Sequence, residues 1–79
     1  MIKETRYLIF TEISDTGKTL AISVDSRHRG HRLGVIKWYG PWRQYTFWPQ
    51  AGCVFNRECL WNIAAFCDTL MQDRRRKAL

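Results

Sequence analysis

The chain lacks acidic residues across its centre. From Ser26 to Arg57 there is no Asp or Glu, yet six Lys or Arg are present. Over all 79 residues, 13 Lys and Arg outnumber 7 Asp and Glu, for a net charge of +6. Carboxylate chemistry has few candidates in such a chain. The imbalance points to an acidic partner, either nucleic acid or an acidic protein surface, although a basic balance can also serve solubility alone. Long apolar runs are lacking too. Nothing approaches the 18 apolar residues of a membrane span. The amino-terminal segment reaches only four apolar residues, Tyr7 to Phe10, too few for a secretory signal core. A cytoplasmic location is therefore expected. Cysteine is scarce and odd in number, at Cys53, Cys59 and Cys67. A secreted domain this small would carry an even disulfide framework.

Aromatic side chains are abundant instead. The stretch Ile36 to Pro49 holds three of the four tryptophans, two tyrosines and a phenylalanine. A domain of this length buries only about 60% of its unfolded surface. Each buried ring removes roughly 150–250 Å² from water, so some of these rings must be core. One face of a hairpin cannot hide them all, and Lys37 and Arg43 lie among them.

Tyr7 to Ile13 is β-branched and aromatic and reads as a strand. Asp15 and Gly17 make a turn. Leu20, Ile22 and Val24 then alternate with smaller or polar residues, the period of a half-buried strand. The polar segment Asp25 to Arg32 connects to a third strand, Leu33 to Tyr39. Gly40-Pro41-Trp42 turns into a fourth, Gln44 to Trp48, which Pro49 ends because it cannot donate to a ladder. Asn56 is suited to cap a helix, with Glu58 in the first turn. From there Cys59, Leu60, Ile63, Phe66, Cys67, Leu70 and Met71 form an apolar stripe, predicting a helix from about Arg57 to Gln72. The fold class is α+β: a four-stranded, mainly antiparallel sheet of two hairpins packed on one C-terminal helix. Residues 1–79 form a single domain, with 74–79 a basic C-terminal tail. One helix cannot cover both faces of a sheet, so the second face is expected to be exposed and to carry part of the aromatic excess.

No sequence motif for chemistry is complete in this chain. Asp15 to Thr19 ends like a phosphate loop, but such a loop needs a glycine at position 12 and a helix afterwards. Glu12 and a strand stand there. His28, His31, Cys53 and Cys59 lack the paired spacing of structural zinc, and Cys59 and Cys67 fall on the apolar helix stripe. No nucleophilic cysteine has an evident base beside it. No catalytic residue, metal or cofactor is assigned, and the chain reads as a binding protein rather than an enzyme.

The candidate binding residues are Arg27, Arg29, Arg32, Lys37, Trp42, Arg43, Trp48 and Trp61. The three loop arginines suit phosphate contacts. Exposed Trp on a sheet face can stack bases or anchor a protein interface. By alternation Trp38 shares a face with Ile36 and Tyr45 with Phe47, while Thr46 and Trp48 point the other way.

The run Gly34 to Pro49, with Val54-Phe55-Asn56 and Ile63-Ala64-Ala65-Phe66, resembles a family of small proteins from bacteria, phages and prophages. That resemblance covers about the C-terminal two-thirds and implies no particular activity. It implies a phage or mobile-element origin, where solitary domains of this size are often stoichiometric binders. Some inhibit host defence, as anti-CRISPR proteins do. From the aromatic and basic residues, the expected partner is nucleic acid or an acidic protein surface, such as a host nucleoprotein. The alternative is a host defence complex bound directly on its protein surface.

Overall fold

The computed structural model describes the backbone of residues 2–78 and the side chains of residues 2–74. Five strands precede one helix: β1 (Ile2–Glu4), β2 (Leu8–Asp15), β3 (Leu20–Ser26), β4 (Arg32–Tyr39), β5 (Gln44–Pro49) and α1 (Arg57–Ala78). They pair in chain order as one antiparallel sheet, β1-β2-β3-β4-β5. Each strand is therefore joined to its neighbour by a local connection.

The sheet has one strand more than the sequence predicts. Residues Ile2 to Glu4 are all exposed and have no apolar alternation. Their strand exists because β2 offers an edge: Ile2 pairs with Thr11, Lys3 with Phe10 and Glu4 with Ile9. β2 also runs on past Ile13. A bulge between Glu12 and Ser14 leaves Ile13 without a partner in β3 and turns it to solvent.

Alternation sets most of the core face, although Ser23 on the other face is buried too. Leu8 and Phe10 of β2, Ile22 and Val24 of β3, Ile36 of β4 and Tyr45 of β5 face α1 and are buried. The helix meets them with Cys59, Ile63, Phe66 and Leu70. Phe66 stacks flat on Phe10, with ring centroids 4.5 Å apart and planes 6° from parallel. The Tyr45 hydroxyl accepts a hydrogen bond from the Leu20 backbone N–H at 3.0 Å, tying β5 to the start of β3 across β4.

The helix begins where its capping residue predicts: the Asn56 side-chain oxygen accepts from the Cys59 N–H at 2.8 Å. It continues beyond Gln72 to Ala78. The predicted stripe is too broad at one point, because Leu60 is 52% exposed. The buried line runs through Cys59, Ile63, Phe66 and Leu70, and Leu60 lies about 100° around the helix from Cys59. Arg74, first residue of the predicted basic tail, folds back onto the sheet. Its guanidinium lies 4.1 Å from the Trp38 ring centroid and donates to the Lys18 carbonyl at 2.7 Å. The side chains of the rest of that tail lie outside the described residues.

Candidate functional site

Helix α1 covers only one face of the sheet. Register places Ile9 and Thr11 of β2, Ala21, Ser23 and Asp25 of β3, Val35, Lys37 and Tyr39 of β4, and Gln44, Thr46 and Trp48 of β5 on the other. Towards the β4–β5 connection this open face becomes aromatic. Tyr39 meets Trp42 edge-on at 5.1 Å between centroids and Trp48 at 5.8 Å. The Lys37 ammonium sits 4.3 Å from the centre of the Trp48 ring. Trp42 is 66% exposed and Trp48 43%. Together with Thr46 and Phe47 the three rings line a shallow hollow of about 250 Å³.

Local structure fixes these rings. The Trp48 indole N–H donates to the Thr46 hydroxyl at 2.9 Å. That hydroxyl in turn donates to the Lys37 carbonyl at 3.1 Å. The ring is thus held along its own strand, beside Lys37 and Tyr39. Trp42 is presented by a short 3-10 turn, Gly40–Trp42, with Pro41 in its first positions. The chain re-enters β5 through Arg43 in the left-handed region, at φ 51 and ψ 46. Gly34 brings β4 close to β5: a β-carbon there would lie 2.6 Å from both the Trp48 carbonyl oxygen and the Phe47 ring.

Of the eight candidate residues, Lys37, Trp42 and Trp48 come together in this cluster, with exposed Arg43 at the adjoining turn. The loop arginines do not join them. They lie at the opposite end of β4 from the Trp42 turn: Arg32 is roughly 23 Å along the strand from Tyr39, but only about 10 Å from Val35, the partner of Trp48. Two of them are engaged within the protein. Arg27 lies 3.9 Å from Glu4 and donates to the Thr5 carbonyl, while Arg32 lies 3.9 Å from Asp25. Arg29 has no ion pair among the described residues. Trp61 is 69% exposed, but on α1, in the other layer.

Tyr39 and Thr46 also belong to the cluster, and no sequence motif marks them. The available signal was strand alternation: Tyr39 shares the face of Lys37, and Thr46 that of Trp48.

The remaining titratable groups gather elsewhere. His28, His31, Cys53 and Cys59 all line one hollow of about 510 Å³ beside the start of α1. Yet no three His, Cys, Asp or Glu among the described residues are placed to hold a metal ion. Cys67 is pushed up to about 11, first by burial and then by the charge of Asp68. Its thiol therefore stays protonated near neutral pH, the unreactive form. Among the described residues, no helix is long and apolar enough to cross a membrane.

No family model and no solved structure matches the chain. Among curated proteins it is similar to an uncharacterised 9.3 kDa protein of Acholeplasma phage L2, with 37% identity over 75 residues, covering 94% of this chain and 96% of the phage protein. With that identity over nearly the whole of both sequences, the chain belongs to the family of small phage-type proteins that this relative represents.

Proposed function

We propose that the protein is a non-enzymatic binding module that takes single-stranded nucleic acid, free or within a nucleoprotein, on the open face of its sheet. The observation that carries this reading is the cluster of Tyr39, Trp42 and Trp48 with Lys37, on the face that α1 leaves uncovered. Bases are flat and apolar on their faces, so an exposed indole stacks on any of them, contributing about 1–3 kcal/mol per base. Lys37 and Arg43 add the positive charge that a phosphate backbone requires. The partial neutralisation of Arg27 and Arg32 favours the aromatic end of the sheet over the loop end. A single strand suits the hollow better than a duplex, whose bases are already stacked.

The experiment is a titration of unstructured DNA and RNA oligonucleotides, followed by tryptophan fluorescence at several salt concentrations. Quenching that weakens steeply with salt supports the reading, because neutralised phosphates release counterions. Absence of binding to every probe at low salt contradicts it.

A second reading is a stoichiometric inhibitor that binds a host defence complex on its protein surface. Membership of a phage-type family favours it, as does the use of Trp, Tyr and Arg at the centres of protein interfaces. Capture from host lysate with nuclease treatment separates the two. A partner retained after nuclease and lost in Trp42→Ala supports the inhibitor.

A further inference from the structure

Helix α1 has a second apolar surface that its packing on the sheet does not use. At 100° per residue, the buried line of Cys59, Ile63, Phe66 and Leu70 is opposed by Arg57, Trp61, Ala64 and Asp68, all exposed. Leu60 and Ala65 flank that outer line and are exposed too. The spacing of four, three and four residues along Arg57, Trp61, Ala64 and Asp68 is that of a helix–helix seam.

The seam is complementary to itself. Two copies of α1 laid antiparallel about a two-fold axis, centred between Asn62 and Ile63, bring each seam residue level with one whose number adds to the same total. Arg57 then faces Asp68 of the second copy and Trp61 packs in one layer with Ala64, while Leu60 and Ala65 line opposite flanks of the seam. At the centre of the seam the large Trp61 meets the small Ala64, and towards its ends Arg57 meets Asp68. An isologous dimer requires such self-complementarity. Neither Arg57 nor Asp68 has an ion pair within the chain among the described residues, so both are available to a partner.

We infer that the protein self-associates through this outer face of α1, forming an antiparallel helix pair with a second copy of the chain. Arg57 and Asp68 are about 16 Å apart along the helix. An interface of that length falls in the small class typical of weak, reversible association. The two sheets end on the outside of the dimer, with both open faces directed away from each other. The assembly would present two copies of the aromatic cluster at once, although the inference does not depend on what that cluster binds.

Sedimentation equilibrium of nuclease-treated protein over a wide concentration range tests this. The wild-type chain should dimerise reversibly. Trp61→Glu should be monomeric throughout while keeping its circular dichroism spectrum. Arg57→Asp and Asp68→Arg should each raise the dimer dissociation constant about tenfold, and the double variant should recover most of the loss, since reversing both charges restores both pairs. A wild-type chain that stays monomeric overturns the inference. So does a dimer that Trp61→Glu leaves intact, which would place the contact elsewhere. A double variant no tighter than the single ones overturns the antiparallel register, and this arm holds even if Trp61→Glu fails to fold.

Discussion

Lys37 covers the Trp48 ring from a diagonal position across two paired strands. Lys37 is opposite Thr46, and Trp48 is opposite Val35, one step along the same face. The ammonium lies 4.3 Å from the ring centre. A cation held over an indole contributes about 0.5–1 kcal/mol at an exposed site. Its larger consequence is orientation, because the Thr46 hydroxyl holds the indole N–H of the same ring.

Thr46→Val should separate orientation from stability. Valine keeps the shape and removes the acceptor of the Trp48 N–H and the donor to the Lys37 carbonyl. Both bonds are solvent-exposed, so stability should change by only about 0.5–1.5 kcal/mol. Affinity for an oligonucleotide should fall several-fold, and the Trp48 indole N–H resonance should move to a water-bonded position. Nuclear magnetic resonance with a binding titration on the same sample checks both.

The pair Phe66→Ala and Leu60→Ala tests the helix register. Phe66 stacks on Phe10 in the core, and its truncation should cost about 3–5 kcal/mol. Leu60 faces solvent, so its truncation in dilute monomeric protein should stay near 0.5 kcal/mol. Denaturant midpoints measure both. Equal losses would mean that the buried face of α1 is wrongly placed.

Gly34→Ala should be destabilising although it adds one methyl group. The new carbon would meet the Trp48 carbonyl oxygen, a backbone atom that cannot rotate away. Overpacking of this kind costs about 1–3 kcal/mol. The strain falls on the pairing that positions Trp48, so binding should weaken as well. A urea titration that shows wild-type stability would contradict the close approach of β4 and β5.

Cys67 gives the stability curve an alkaline arm. Its thiol titrates near 11 in the folded chain against an ordinary 9.0. The unfolded state therefore loses this proton first as pH rises. The contribution is fully present below about 9 and is lost as pH rises towards 11. Cys67→Ala should lack this component. Melting curves of both proteins across that window should diverge, with the wild type falling faster.

What the sequence reveals divides by mechanism. Leu20, Ile22 and Val24 announce a half-buried strand because side-chain alternation is a local property of the chain. Asn56 announces a helix start because capping needs only three further residues. β1 is invisible in the same terms, since Ile2, Lys3 and Glu4 bury nothing and depend on an edge supplied by β2. Leu60 is apolar and correctly spaced, yet the width of the buried helix face depends on the sheet beneath it. The separation of Arg27, Arg29 and Arg32 from Trp42 is likewise set by the length of β4 and not by any motif. The membership of Tyr39 and Thr46 in the cluster follows from alternation, but only once the strand register across β4 and β5 is known.

The most direct test of the account is the affinity of the intact chain and of Trp48→Ala for an unstructured pyrimidine oligonucleotide, measured by anisotropy at two salt concentrations. The wild-type chain should bind at low salt and weaken steeply at high salt. Trp48→Ala should lose about 1–3 kcal/mol of binding, the value of one stacked base, while its denaturation midpoint stays close to wild type. No binding by the wild-type chain at low salt, or equal affinity in Trp48→Ala, would contradict a nucleic-acid role for the open face.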